Sequence, residues 1–322
     1  MESLHNTYTI GDNLELMRNL PDRSVDCICT DPIYGTGRNF NDYDDRFKNI
    51  EAYQEFMDPR VKECHRVLKD SGVVVFHVEP RISHIIRNLL DKYFGFNRFV
   101  NEIVWKSGGN AKNKYQLGRN HDTIIVYSKT AKYTFNPLYK PYDEKYKAAN
   151  KPKLCPIHKK YYVTTAAHNA QPKVNPRPNL TYEWNGVTKQ WYVCRERMQA
   201  LHDEDRLQYN DKGVPRFKKF IEEMDGIPVT DWFDDISNTQ HGEKLDYATQ
   251  KPKELVSRLL TLYSDPEDVV LDPFAGSGTV GRSCIDTNRK YVLFDINENA
   301  KEVFERSVGG REEEGASTSK VE

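Results

Sequence analysis

The stretch Val269-Val270-Leu271-Asp272-Pro273-Phe274-Ala275-Gly276-Ser277-Gly278-Thr279-Val280-Gly281 limits what this chain can fold into more than any other. A short apolar run, the mark of a strand buried on both faces, ends in Asp-Pro, turns through glycines and continues into a helix-like segment. Glycines at such a turn let a ligand approach the backbone. In an open α/β sheet the carboxyl end of a strand is where ligands bind. A second apolar run, Tyr291-Val292-Leu293-Phe294, then delivers Asp295 about 20 residues after the first glycine, where a carboxylate accepts the hydroxyls of a ribose. The spacing predicts a ribose-bearing cofactor.

Gly276, Gly278 and Gly281 also satisfy the Gly-x-Gly-x-x-Gly pattern of dinucleotide-binding proteins, a weak signal on its own. Asp272 argues against a pyrophosphate, because a carboxylate beside the ligand repels phosphate and attracts an ammonium group. S-adenosylmethionine carries an ammonium, a sulfonium and a ribose, so the methyl donor is the expected cofactor. A dinucleotide and a purely structural glycine turn are the competing readings.

At 322 residues, 30% charged and 38% hydrophobic, the chain is long enough for a full core plus one inserted domain. No apolar run approaches the length of a membrane span, and the N-terminus lacks a basic segment followed by an apolar one, so no membrane partner and a cytoplasmic location are expected. Cys27, Cys29, Cys64, Cys155, Cys194 and Cys284 read as thiols in a reducing compartment rather than as disulfides.

Tyr8-Thr9-Ile10 reads as a strand, Gly11-Asp12 as a turn and Asn13 to Leu20 as a helix. The strand Val25 to Thr30 ends at Asp31-Pro32-Ile33-Tyr34-Gly35-Thr36-Gly37, a second crowding of carboxylate, proline and aromatic ring at a strand tip, which a plain Pro-Gly turn would also explain. Tyr53, Phe56, Met57, Val61, Cys64, Val67 and Leu68 give one apolar helical face, and the strand Val73 to Val78 follows. Ile82 to Leu90 mark another helix; Phe99 to Trp105 and Thr123 to Tyr127 mark two more strands. Such alternation predicts an α/β fold with a Rossmann-like, doubly wound, mostly parallel sheet. His121-Asp122 reads as a strand-end hydrogen-bonding pair, not a metal pair.

From about Thr130 to Thr230 the periodicity fades. Between Lys106 and Ala200 stand 18 Lys/Arg against 5 Asp/Glu, interleaved with aromatics such as Tyr139, Tyr161, Tyr182, Trp184 and Trp191. A solvated charged face is the bland reading; the density of rings favours phosphate contact, with Arg177, Arg195, Arg197 and Arg216 as candidate base readers. Cys155, His158, His168 and Cys194 could be grouped as a zinc site, but Cys-x-x-His is half a ligand set, and no metal is expected. The pattern returns at Trp232. Thr249-Gln250-Lys251-Pro252 leads into an apolar-faced helix, the cofactor strand follows, and Asn297 to Ser307 form a last helix. The polar tail from Gly309 to Glu322 is expected to be disordered.

Asp31-Pro32-Ile33-Tyr34, then a basic insert, then Thr249-Gln250-Lys251-Pro252 and Asp272-Pro273-Phe274-Ala275-Gly276-Ser277-Gly278-Thr279 stand in a definite order. In that order the chain resembles the DNA amino-methyltransferases of the beta permutation over nearly its whole length, including the modification subunits of restriction systems. The resemblance implies a catalytic part at residues 1–130, an inserted basic target-recognition region at 131–231 and a cofactor-binding part at 232–308. It implies that Phe274 to Thr279, after Asp272 and Pro273, surround the methionine part of S-adenosylmethionine, that Asp295 holds the ribose, that Asn297 belongs to the cofactor site, that Asp12 lines the adenine side, and that Thr249, Gln250 and Lys251 lie at the carboxylate end. Asp31, Pro32 and Tyr34 take the catalytic positions. Duplex DNA, a homodimer and a cognate restriction endonuclease are the implied partners, with the protein close to the nucleoid.

One position departs from the family pattern, which has a second proline where this chain has Ile33. The Pro32 carbonyl survives, but Ile33 relaxes a constraint on its direction and adds an N–H. The expected reaction is methylation of the exocyclic N6 of a flipped-out adenine, Asp31 and the Pro32 carbonyl accepting its hydrogens and Tyr34 stacking on the base. Asp at the first motif position resembles the N6-adenine enzymes; N4-cytosine methylation, methylation of structured RNA, and DNA binding with catalysis weakened through Ile33 are the alternatives.

Overall fold

Strands that are apolar on both faces have to be covered on both, and the sheet of this protein shows how. In the computed structural model, which describes residues 5–35, 37, 45–108, 114–115, 117–238, 244–245 and 250–317, eight strands form one sheet. Across it they run Thr7–Ile10, Lys290–Asp295, Val269–Asp272, Val25–Thr30, Leu68–Val78, Asp122–Ser128, Phe99–Trp105 and Trp232–Phe233. Neighbours are parallel except at Asp122–Ser128, which is antiparallel to the strand on either side. The expected Rossmann-like, mostly parallel α/β sheet is present, with this reversed strand as its exception.

Alternate residues point to opposite faces. Ile28, Val74, Phe76, Ile125, Leu271 and Phe294 enter the core that carries helices Ile50–Val67 and Ser83–Phe94. The intervening Cys27, Val73, Val75, Val126, Val270 and Leu293 are equally buried. Helix Lys253–Tyr263 packs against Val25–Thr30 and Leu68–Val78, and against helix Thr279–Asp286.

The chain separates into two compact units, residues 1–137 with 230–322, and residues 138–229. Residues 131–137, expected to open the insert, belong to the sheet unit instead. Thr134 N–H donates to Ser71 O, Asn136 N–H to Leu262 O, and Phe135 rests 5.9 Å from the ring of Tyr263. The second unit has order of its own where the periodicity fades. Leu207–Tyr209, Pro215–Phe220, Tyr161–Ala166 and Lys153–Leu154 form a four-stranded sheet in that order, and Thr181–Trp184 pairs with Val187–Gln190. Trp191, Met198 and Ala167 are its fully buried centre. Its strands are too short to carry a clear period of two.

The last helix spans Glu298–Ser317, so its backbone continues into the stretch expected to be a disordered tail. Arg311 to Glu314 are straight-chain residues that sustain a helix already started.

Candidate active site

Because Val269–Asp272 lies between Val25–Thr30 and Lys290–Asp295, three strands end side by side, and the loops leaving them share one cleft of about 1110 Å³. Asp31, Pro32, Ile33 and Tyr34 line it from the second strand, Asp272 to Ser277 and Thr279 from the glycine turn, and Asp295 from the last strand. Asp12, Gln250 and Lys251 complete this set. Two expected residues do not line it: Gly278 is packed beneath, and Asn297 contributes its backbone N–H to Asp295 Oδ1 at 2.9 Å. Thr249 and Thr36 lie outside the described residues.

Geometry requires glycine at two places in the turn. Gly276 and Gly278 have φ of 50° and 72°, and a Cβ on Gly278 would collide with the Phe304 ring. Gly278 then opens the helix Thr279–Asp286. Asp295 Oδ2 accepts the Gly276 N–H at 2.7 Å and its carbonyl accepts the Gly11 N–H at 2.8 Å, while Tyr8 Oη donates to Gly276 O at 2.6 Å. The carboxylate expected at a ribose is thus fixed from its own backbone neighbourhood.

Asp272 is 3% exposed. Its Oδ1 accepts from Thr30 Oγ1 at 2.7 Å and from the Phe274 N–H at 3.0 Å. Burial pushes its pKa up to about 7, reinforced by the charges of Asp31 and Asp295 and opposed by those two hydrogen bonds. Asp31 is held differently. Tyr34 Oη donates to its Oδ1 and Lys251 Nζ to its Oδ2, and Lys251 Nζ also lies 3.1 Å from Tyr34 Oη. The same ammonium stands over the Tyr34 ring, 5.3 Å from its centroid.

Two side chains at the cleft, Arg60 and Asn13, were not singled out from the sequence. Arg60, inside a helix and buried, donates from Nη2 to Asp12 Oδ2 at 2.8 Å and from Nε to Asn13 Oδ1 at 2.7 Å, and stacks 3.5 Å over Phe56. Asn13 in turn donates to Pro273 O at 2.6 Å. A cation on the otherwise apolar inward face of this helix was the available hint. Asp122 is hydrogen-bonded at a strand end, to His77 Nε2 at 3.1 Å, and His77 meets Trp105 edge to face. Burial would raise the Asp122 carboxyl, yet its interactions with His77, Lys251 and Ser107 together outweigh burial and its pKa is lowered.

Carboxylates outnumber cations along the cleft, and Asp12, Asp272 and Asp295 at the strand tips suit a cationic nucleoside better than a diphosphate. A mostly parallel sheet with such a pocket beside an Asp-Pro-x-Tyr turn suits the class of nucleoside-dependent group-transfer enzymes. The family model described as DNA methylase, of the N6/N4 type, matches residues 25–306, and the chain belongs to this family of S-adenosylmethionine-dependent DNA amino-methyltransferases. It is 30% identical to the type II methyltransferase M.EcaI of Enterobacter cloacae over 333 residues, covering 96% of this chain and 70% of that protein. It is 26% identical to the DNA adenine methyltransferase YhdJ of Escherichia coli, covering 90% of this chain and 78% of that protein. In fold it is similar to the PvuII cytosine-N4-specific DNA methyltransferase, with a TM-score of 0.53, 14% identity, and coverage of 94% and 92%. Among the described residues no helix is long and apolar enough to cross a membrane.

Proposed function

We propose that this DNA methyltransferase modifies the exocyclic N6 of adenine in duplex DNA, on a base swung out of the helix into the cleft. The observation that carries the proposal is the shared cleft: Asp31 and Gly276, about 245 positions apart in the chain, border one cavity, as a direct methyl transfer requires. The bound S-adenosylmethionine supplies an electrophilic methyl group on a sulfonium.

The protein's own residues do the rest. The target nitrogen is a poor nucleophile because its lone pair is delocalised into the ring. Asp31 and the Pro32 carbonyl accept the amino hydrogens and leave the lone pair pointing across the cleft. Tyr34 and Lys251 hold Asp31 before the base arrives, so an incoming amino group displaces one of these donors from a carboxylate already aimed. Asp295 and Asp12 receive the ribose and adenine sides of the donor, Asp272 its ammonium, and Gln250 and Lys251 its carboxylate, with the turn from Pro273 to Thr279 and Asn297 as frame. Ile33 packs against the core together with Tyr34, which supports a strand tip kept in place without the second proline.

Asp at the first motif position and the similarity to an adenine enzyme support adenine over the N4 of cytosine. The basic unit of residues 138–229 is the target reader in this proposal. A second copy and a paired endonuclease are the further partners it carries, and the nucleoid the place of work. Incubation with labelled donor and mixed-sequence DNA, digestion to nucleosides and mass identification tests it: N6-methyl-2′-deoxyadenosine is expected, N4-methyl-2′-deoxycytidine selects the other base, and no methylated nucleoside supports the binding-only alternative.

A further inference from the structure

Far from the cleft in sequence, the second unit completes a ligand set that spacing alone left half made. Lys153–Leu154 pairs antiparallel with the start of Tyr161–Ala166, and the connection Cys155-Pro156-Ile157-His158-Lys159-Lys160 closes as a tight knuckle. Cys155 N–H donates to Lys160 O and Lys159 N–H to Cys155 O, both at 2.9 Å, with Lys159 at φ 59°. This turn brings Cys155 Sγ to 3.4 Å from His158 Nδ1. Asp205, just past the helix Arg195–Asp203, places Oδ2 at 3.2 Å from Cys155 Sγ and 3.7 Å from His158 Nδ1.

We propose that Cys155, His158 and Asp205 form a zinc-binding site that clasps the hairpin turn to the end of the helix. Tetrahedral zinc with S, N and O ligands at ordinary bond lengths has donor–donor edges of about 3.4–3.6 Å, and the three separations here scatter around that range. The donors are one soft thiolate, one imidazole and one carboxylate, a mixture that suits zinc better than magnesium or calcium. Cys155 is fully buried against Tyr162 and Phe220, so the sulfur is shielded from oxidants and water. The two other residues once grouped with the pair are elsewhere: Cys194 is exposed, and His168 contacts Lys189 and Trp191.

Lys218 identifies the charge this pocket is built to hold. Its ammonium, on a side chain 8% exposed, lies 2.7 Å from Asp205 Oδ2 and 3.9 Å from Cys155 Sγ. Zinc binding swings this ammonium out of the cluster and leaves the fourth position to water. Binding deprotonates the Cys155 thiol and releases its proton to solvent.

The full-length protein, purified without chelator and desalted, should carry stoichiometric zinc by elemental analysis. Replacement by cobalt(II) should give the visible bands of a tetrahedral site and a near-ultraviolet thiolate charge-transfer band. Cys155→Ser, His158→Ala and Asp205→Ala should each lose the zinc, while Cys194→Ser and Lys218→Met should keep it. Zinc-free wild-type protein that also gives no cobalt spectrum overturns the proposal, leaving Lys218 as the cluster's cation. Metal that Cys194→Ser removes, or a cobalt spectrum without the thiolate band, overturns it too. Because the cobalt titration uses unmodified protein, misfolding of a variant cannot mask the answer.

Discussion

Two Asp-Pro dipeptides stand at the tips of neighbouring parallel strands, Asp31-Pro32 after Val25–Thr30 and Asp272-Pro273 after Val269–Asp272, and their carboxylates acquire different chemistry. The Asp31 side chain is 27% exposed and its charge is met by Lys251 and Tyr34. Asp272 is sealed in, faces only neutral donors, and is pushed up to about 7. The residue before Asp31, Thr30, is one of those donors, so each tip is built partly from the other. In the proposed reaction this difference in environment suits one carboxylate to a substrate amino group and the other to a cationic ligand.

The sharpest way to break this comparison is to remove the solvated member. Asp31→Ala should lower methyl transfer by about 10³-fold or more while cofactor affinity changes only a few-fold, read from labelled-methyl incorporation and calorimetry. Equal loss of both would mean that the two tips do not divide the work. Lys251→Met should cost about 10²-fold in kcat/KM and weaken donor binding as well, because the proposed function gives the lysine both Asp31 and the donor carboxylate; an unchanged KM for the donor would confine it to Asp31.

The sealed member makes a prediction in pH. With Asp272 receiving the donor's ammonium as proposed, affinity should rise about 10-fold between pH 6 and pH 8 and level off above, and Asp272→Asn should flatten the profile. Stability runs the other way. Burial raises the folded-state pKa above the unfolded value of 3.8, so this carboxyl's contribution is fully present below that value and is lost as pH rises through about 7. Asp272→Asn should accordingly raise the melting temperature at pH 8 and leave it nearly unchanged at pH 4. Thr30→Val, deleting one donor to Asp272, should shift the binding midpoint upward and cost about 1 kcal/mol of stability. The smallest expected change is in Ile33→Pro: activity within about 3-fold of the parent, whereas a sharp rise would show that Ile33 had weakened catalysis.

What could be read in advance was local. Strand, Asp-Pro, glycine turn and helix are consecutive residues, so the tip Val269 to Thr279 and its partner Asp31 to Tyr34 were visible as motifs, and the alternation around them implied the sheet. What joins the tips was not. Arg60 reaching Asp12 spans a separation of 48 and Lys251 reaching Asp31 one of 220, and nothing local to either cation announces its partner. Reversal of Asp122–Ser128 was equally hidden, since an apolar strand reads the same in either direction. In the insert, strands as short as Leu207–Tyr209 fall below the length at which a period can be seen.

The hydrogen bond from Thr30 to Asp272 spans a sequence separation of 242, and Val269–Asp272 must pair with Val25–Thr30 for it to form. Contacts that far apart close late and slowly during folding. Synthesis must therefore have passed Asp272 before the two strand tips can meet, so the cleft is joined from distant stretches of chain rather than grown locally.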